Sequence, residues 1–429
     1  MASFPKDFLW GAATSAYQIE GSPLADGAGP NIWHRFTHAR GLPNGDVACD
    51  HYRRWREDLE LLSRLGVGAY RFSVAWARVM PEGRGRVNRP GLAFYERLVD
   101  ELLERGIAPL ITLYHWDLPA DLDDLGGWVN RDVASWFADY AEVMFRALGD
   151  RVPMWATINE PWVITDAGYL HGTHAPGHQS VRETPIASHN LLRAHGAAVE
   201  RYRGLAKQRI GIVINLEPKD PASESEADLA ATERSDAYMN RQFLDPLYFG
   251  RYPVELAEMY GEAWPRFDEA DFKLIMQPTD YLGLNYYRRG VMRDDPSALI
   301  ERASHVKVPG ATYTTLGWEV HAPSFRRMLR WVRDRYGAIP LYVTENGAAF
   351  PDVAPFNDTL RIQYYRDHLA EASGAIADGV DLRGYFAWSL LDNYEWGSYD
   401  PRFGLAHVDF ATQKRTPKAS FEFYRGVIG

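Results

Sequence analysis

Cysteine is nearly absent: Cys49 stands alone in 429 residues. An intramolecular disulfide is therefore excluded, a reducing compartment is favoured, and Cys49 reads as a structural thiol. No apolar run approaches the roughly 18 residues of a membrane helix, so no span and no membrane partner are expected. The opening stretch, Met1-Ala-Ser-Phe-Pro-Lys-Asp-Phe-Leu-Trp-Gly11, lacks the basic start and the apolar segment of about 7–15 residues that a secretory signal needs. A cytoplasmic location is expected. Positive charge is in deficit, 47 Lys and Arg against 57 Asp and Glu for a net charge of −10, which argues against a general nucleic-acid binder. No glycine-rich dinucleotide fingerprint follows the first apolar run, and there is no low-complexity tract, short-period repeat or linker.

What is present is an alternation. Eight short β-rich runs, Phe8–Thr14, Ala69–Trp76, Ala108–His115, Met154–Glu160, Arg209–Asn215, Tyr281–Tyr287, Leu341–Glu345 and Leu382–Leu390, are separated by longer stretches. Helices are expected at His51–Arg64, Gly91–Arg105, Asp132–Leu148, Pro185–Arg203, Ala322–Tyr336 and Asn357–Asp378. In the first of these Leu59, Leu62 and Leu65 recur at helical spacing. Alternating strand and helix patterns are the signature of βα units on a parallel sheet. Eight units favour an α/β fold of the closed (β/α)8 TIM-barrel type over a doubly wound open sheet, which counting alone does not exclude. Residues 1–429 are expected to form one barrel domain. Long connections at Pro161–Pro185, Asp220–Asp280 and Arg288–His321 are expected to be rim loops, with Asp220–Asp236 a solvated segment leading into a helix.

Two glutamates end two of the apolar runs, Glu160 in Met154-Trp-Ala-Thr-Ile-Asn-Glu-Pro161 and Glu345 in Leu341-Tyr-Val-Thr-Glu-Asn-Gly347. The point where a barrel strand meets its following loop is the active rim. Two carboxyls there could face each other across one pocket, as glycoside hydrolysis requires: one protonates the leaving oxygen and the other attacks the anomeric carbon. A lone Glu beside Pro or Gly is more often a solvated charge or a cap; here each ends an apolar run and each has an Asn beside it, and an amide can hold a sugar hydroxyl.

These motifs and others resemble glycoside hydrolase family 1, the β-glucosidase family. Thr157-Ile-Asn-Glu-Pro161 and Val343-Thr-Glu-Asn-Gly347 resemble its acid/base and nucleophile motifs. Phe8-Leu-Trp-Gly-Ala-Ala-Thr-Ser-Ala-Tyr-Gln-Ile-Glu-Gly21, Tyr70-Arg-Phe-Ser-Val-Ala-Trp76, Leu113-Tyr-His-Trp-Asp-Leu-Pro119, Leu284-Asn-Tyr-Tyr287 and Phe386-Ala-Trp-Ser-Leu-Leu-Asp-Asn-Tyr-Glu-Trp396 match in the same order, nearly end to end. The resemblance implies a retaining β-glucosidase that removes terminal non-reducing β-D-glucosyl residues through a covalent glycosyl-enzyme, and also accepts β-fucosides and β-galactosides. Glu345 would be the nucleophile and Glu160 the general acid and base. Arg71 and Tyr287 would flank Glu345, and a cation with a phenol donor would keep it ionised. Gln18, His115, Asn159, Glu395 and Trp396 would hold the sugar hydroxyls, and Trp388 would stack on its apolar face. Trp318 would line the leaving-group site, and Trp116, beside His115, is a further candidate ligand.

The expected partners are small β-glycosides or short β-linked oligosaccharides, which fits breakdown of cellulose and related polysaccharides; a homo-oligomer is left open. No metal or organic cofactor is expected. His171, His174 and His178 cluster in sequence, but no cysteine or acidic ligand accompanies them in a zinc-like spacing, and they read as part of the rim loop after Glu160. A 6-phospho-β-glucosidase usually replaces the residue at Glu395 and adds a Ser, Lys and Tyr cluster. Gly397-Ser-Tyr-Asp-Pro-Arg-Phe-Gly404 lacks the Lys and Tyr of that cluster and is one residue shorter than the common family pattern. The contrasting class is a catalytically idle carbohydrate-binding barrel.

Overall fold

The computed structural model describes residues 3–429. Eight parallel strands close into a barrel in sequence order: β1 Leu9–Ala13, β2 Ala69–Ser73, β3 Ala108–Tyr114, β4 Met154–Asn159, β5 Arg209–Asn215, β6 Tyr281–Asn285, β7 Leu341–Asn346 and β8 Leu382–Trp388, with β8 pairing back onto β1. The barrel expected from the alternation is thus the one observed. Its strands read as continuous apolar runs because both faces are covered; every residue of β2, β4, β6 and β7 is buried. The inner layer is a cluster of its own that includes Ala69, Leu110, Met154, Val213, Tyr281 and Phe386. Gly11 makes room for it: a Cβ there would lie 2.3 Å from the Phe386 ring.

The outer helices dock through apolar stripes. In His51–Leu65 the residues Leu59, Leu62 and Leu65 are fully buried, each worth about 1.5–3 kcal/mol of transfer free energy. Gly66, at φ 78°, ends that helix in the left-handed conformation, its N–H bonded to Leu62 O. Helices Arg89–Glu104, Val133–Leu148, Glu183–Arg203, Ala322–Tyr336 and Thr359–Ala377 fall where the spacing predicts them, with shifts of a few residues at their ends.

The connections are more ordered than expected. Asp220–Asp280 is not a loop: it carries helices at Glu226–Asp236, Gln242–Phe249, Val254–Tyr260 and Glu269–Ile275. The solvated segment of the sequence reading is itself mostly the first of these helices. It buries only Asp228, Ala231 and Ser235, so it shows no apolar stripe; its start is set by Ser225, whose Oγ accepts from Asp228 N at 3.2 Å. Arg288–His321 and the segment after β5 contribute Lys219–Pro221, Gly290–Asp294 and Ala303–His305 to a small three-stranded sheet beside the rim. Cys49 is buried, its Sγ donating to Asp392 O at 3.1 Å, and burial pushes its thiol well above the ordinary range. No helix among the described residues is long and apolar enough to cross a membrane.

Candidate active site

The strand register lines up the chemistry. Glu345 on β7 stands opposite Asn285 on β6, Asn285 opposite Asn215 on β5, and Asn159 on β4 opposite Val213. The pairing is irregular next to Glu345 and between Ala156 and Asn159; such irregularities re-aim side chains at barrel rims.

Glu160 follows β4 with φ 49° and ψ 65°, in the left-handed region, and Pro161 then opens the helix Pro161–Thr165. A residue before proline favours extended backbone, so this conformation carries strain of the order of 1–3 kcal/mol. As N-cap, its side chain makes no capping bond. It instead accepts from Asn285 Nδ2 at 2.7 Å. Glu345 receives Arg71 Nη1 on Oε1 and the Tyr287 hydroxyl on Oε2, both at 2.5 Å. Arg71 Nη2 continues to Asn159 Oδ1 at 2.7 Å, and that same oxygen accepts from Asn285 Nδ2 at 3.1 Å. The two glutamates are therefore the ends of one buried chain, Glu160–Asn285–Asn159–Arg71–Glu345.

The two carboxyls differ in what they are given. Burial, then the Glu345 charge, lifts Glu160 well above the ordinary carboxylate range, against one amide donor and the Arg71 cation. Burial also raises Glu345, while Arg71 and Tyr287 pull it back. Burial thus outweighs the cation and the phenol expected to hold Glu345 low, and the division survives as a difference between the two groups: Glu345 is raised, Glu160 well raised. Replacing Arg71 by Lys, which keeps the charge but loses the fork to Glu345, Asn159, Thr112 and Thr344, is expected to shift the acidic limb of the kcat/KM pH profile upward. The value at the optimum should fall by about 10²-fold. The sign follows from Arg71 lowering the Glu345 pKa; a profile that stays in place would contradict the pairing.

The other expected ligands gather around the same pocket. Asn159 Nδ2 lies 3.2 Å from His115 Nε2. Burial, then the Arg71 charge, holds His115 well below the ordinary imidazole range. Its ring is therefore neutral; Nε2 accepts from the amide, and Nδ1–H is a buried donor with no protein partner. Gln18 Nε2 bonds Asn393 Oδ1 at 2.9 Å and Glu395 Oε2 at 3.1 Å. Glu395 is pushed up to about 8 by burial and the charge of Glu345, so near neutrality it can both donate and accept. Trp388 and Trp396 lie nearly parallel to the His115 ring, each 5.9 Å from it. Trp116 and Trp396 have φ of 78° and 43°; the Trp116 indole donates to Asn159 O at 2.9 Å and packs 4.5 Å from Trp396.

The pocket above has a volume of about 360 Å³. Glu160, Tyr287 and Glu395 stand in its wall with the apolar side chains of Trp162, Val163, Leu216, Met239, Leu316 and Trp318, and Glu217 and Arg288 line it as well. Asn285 and Asn393 are the residues that the motifs did not single out, although both lie inside quoted runs. The three rim histidines take separate partners: His178 bonds Glu183, His171 faces Asp166, and His174 packs against Trp33 and Trp116.

Comparison with known proteins agrees with this geometry. The model of glycosyl hydrolase family 1 matches residues 1–429. A 1,4-beta-D-glucan glucohydrolase of Thermotoga neapolitana is 48% identical over 100% of this chain and 98% of its own length. Beta-glucosidase A of Thermotoga maritima is 48% identical over 99% and 97%. Among solved structures, the family 1 b-glucosidase from Thermotoga maritima superposes with a TM-score of 0.97 at 47% identity, covering 100% of this chain and 98% of that one. The same family's structure complexed with a cyclophellitol analogue transition state mimic gives 0.96 at 48%, covering 99% and 98%. The chain belongs to glycosyl hydrolase family 1 and is a retaining glycoside hydrolase of the β-glucosidase type.

Proposed function

We propose that residues 1–429 act as one catalytic domain that removes terminal β-D-glucosyl residues, with Glu345 as nucleophile and Glu160 as acid and base. The observation that carries this reading is the unequal provision of the two buried carboxyls, a cation and a phenol for Glu345 and a single amide for Glu160. The pair titrates as a unit, and near neutrality its one proton resides on Glu160. Glu345 attacks the anomeric carbon while Glu160 gives its proton to the glycosidic oxygen, which leaves as an alcohol. The Glu345 charge is then consumed in the glycosyl ester. Its loss removes a cause of the raised Glu160 pKa, so Glu160, now ionised, takes a proton from the water that attacks the same carbon. Glucose leaves with its β configuration, and Glu345 is restored.

Gln18, His115, Asn159, Glu395 and Trp396 bind the sugar hydroxyls in this reading, and Trp388 is its stacking floor. Asn159 keeps one amide hydrogen for the substrate, since its oxygen and its other hydrogen serve Arg71, Asn285 and His115. The apolar side chains in the pocket wall suit hydrophobic aglycones and the faces of short β-linked glucose chains. Glu395 opposes a 6-phosphate: its ionised form repels the phosphate charge, and its protonated form, which burial favours, offers a single hydrogen to a group with three acceptor oxygens, so the unphosphorylated sugar is the substrate. The single, buried thiol of Cys49 supports a reducing, cytoplasmic site of action.

Initial rates on nitrophenyl β-glucoside, β-galactoside, β-fucoside and 6-phospho-β-glucoside test the assignment. Release is expected from the first three, fastest or near fastest from the glucoside, and at least about 10²-fold slower from the phosphate, corresponding to the several kcal/mol cost of juxtaposed like charges. Preference for the 6-phosphate would overturn the reading of Glu395.

A further inference from the structure

Outside the pocket, two histidines one turn apart converge on a carboxylate. His34 and His38 lie on the helix Ile32–Arg40, which begins where Asn31 Oδ1 accepts from His34 N at 2.8 Å. Their rings are 4.0 Å apart. Asp46, on the loop that follows, places Oδ1 3.2 Å from His34 Nδ1 and Oδ2 3.0 Å from His38 Nε2.

The hydrogen bonds of His38 set which ring nitrogen faces Asp46. His38 Nδ1 lies 2.7 Å from His34 O; a carbonyl only accepts, so Nδ1 carries a hydrogen. In the neutral ring Nε2 is then a bare lone pair, and it faces the lone pairs of Asp46 Oδ2. A cation held between the two atoms would be ligated by both.

The spacing suits a metal. Zinc–nitrogen and zinc–oxygen bonds of about 2.0–2.2 Å at tetrahedral angles put adjacent ligand atoms about 3.3 Å apart. The nitrogen–oxygen separations here are 3.0 and 3.2 Å, and one ligand atom from each of the three residues fits within 4.8 Å of the others. The His38 Nδ1–H bond to a backbone carbonyl is the outer-shell contact that fixes a ligating imidazole in its tautomer. The other cluster of this kind among the described residues, Asp352, Asp392 and His407, is filled by protein: Lys418 Nζ sits 2.8 Å from a carboxylate oxygen of both aspartates. No Lys or Arg pairs with Asp46; its ion-pair partners among the described residues are His34 and His38.

We propose that His34 Nδ1, His38 Nε2 and Asp46 bind a divalent transition-metal ion of the zinc class, with a fourth position open to water. Zinc takes the lone pairs of His34 Nδ1 and His38 Nε2; the hydrogen on His34 Nδ1 moves to Nε2 of the same ring or to solvent, any hydrogen on His38 Nε2 passes to solvent, and no redox change is involved. The ion would fasten the loop to the helix. That loop is also held by the rim: the Tyr394 hydroxyl donates to Pro43 O at 2.9 Å and that of Tyr399 to Asn44 O at 2.7 Å, on either side of Glu395 and Trp396. The site is structural, apart from the two carboxyls that do the chemistry.

The test is titration of chelator-stripped full-length enzyme with zinc chloride by calorimetry, with thermal unfolding in parallel. One ion per chain is expected. At free zinc about 100-fold above Kd the midpoint should rise by about 3 °C for a chain of this size. His38→Ala and Asp46→Asn should each weaken binding by about tenfold or more and so cut the shift at the same free zinc to about half or less, while hydrolysing nitrophenyl β-glucoside as the wild type does. If His38→Ala fails to fold, Asp46→Asn carries the comparison. No saturable binding, or binding of unchanged strength in the folded variants, would overturn the assignment.

Discussion

Glu345→Ala is expected to lower kcat/KM for nitrophenyl β-glucoside by about 10⁵-fold or more, the scale on which removal of a covalent nucleophile acts. The loss should be the same in size for good and poor leaving groups, because no glycosyl ester can form in either case. Truncation also leaves the Arg71 guanidinium buried without its counter-charge, which costs about 3–5 kcal/mol in stability. Glu345→Gln therefore accompanies it: the amide keeps the shape and an acceptor oxygen for Arg71 or Tyr287 although not the charge, so activity should be as low in a protein destabilised less than Glu345→Ala. The Gln variant has a second signature. Because the Glu345 charge raises Glu160, its removal lowers the Glu160 pKa, which a direct titration of that carboxyl would register as a downward shift. Residual activity within 10²-fold of the wild type would mean that another group attacks.

Glu160→Ala is expected to separate substrates by leaving group. For a β-linked glucose disaccharide, whose alkoxide cannot leave unprotonated, kcat/KM should fall by about 10⁴-fold, the upper range for a general acid. For dinitrophenyl β-glucoside the first step needs no proton, so kcat/KM should fall by less than about tenfold. Its kcat should nevertheless drop, because water now attacks the glycosyl ester without a base. A burst of dinitrophenol equal to the enzyme concentration would show the ester accumulating. Equal losses for both substrates would show that Glu160 does not transfer the proton.

The barrel was legible because burial on both faces turns its strands into continuous apolar runs, and such runs are visible one at a time. Arg209–Asn215, with Ile210, Ile212 and Ile214 buried, needs no partner to be recognised. The helices that cover the barrel were legible for the same reason at another period. Glu226–Asp236 was not, because its helix rests on a Ser225 cap and on contact with the small sheet rather than on an apolar stripe. Length marks residues 220–280 as a rim loop and composition marks Asp220–Asp236 as solvated, and neither registers contacts made from outside.

The site divides along the same line. Glu160 and Glu345 stand out because a carboxyl closing an apolar run is unusual in itself. Asn285 closes an apolar run too, but an amide there looks like an ordinary strand end; its importance lies in the distance to Glu160 and Asn159, which depends on the register of three strands. Asn393 is similar, orienting Gln18 from a segment 375 residues away in sequence. The surroundings of Glu345 were legible only in part. Arg71 and Tyr287 were identified from their motifs, but the burial that outweighs them is a property of the closed barrel. The histidine pair at 34 and 38 is not legible for a related reason: His171, His174 and His178 form the denser cluster in sequence, whereas His34 and His38 acquire meaning only when the chain returns with Asp46.

The account rests on a covalent bond to Glu345, and one measurement reads it directly. A 2-deoxy-2-fluoro-β-glucoside with a dinitrophenyl leaving group should form the glycosyl ester and hydrolyse it slowly, because fluorine at C2 disfavours the oxocarbenium-like transition state of both steps. Mass spectrometry of the digested protein should then find one fluoroglucosyl group per chain, on the peptide containing Leu341–Gly347 and on Glu345 within it. A label on Glu160 or another residue, or inactivation without any covalent adduct, would contradict the central claim.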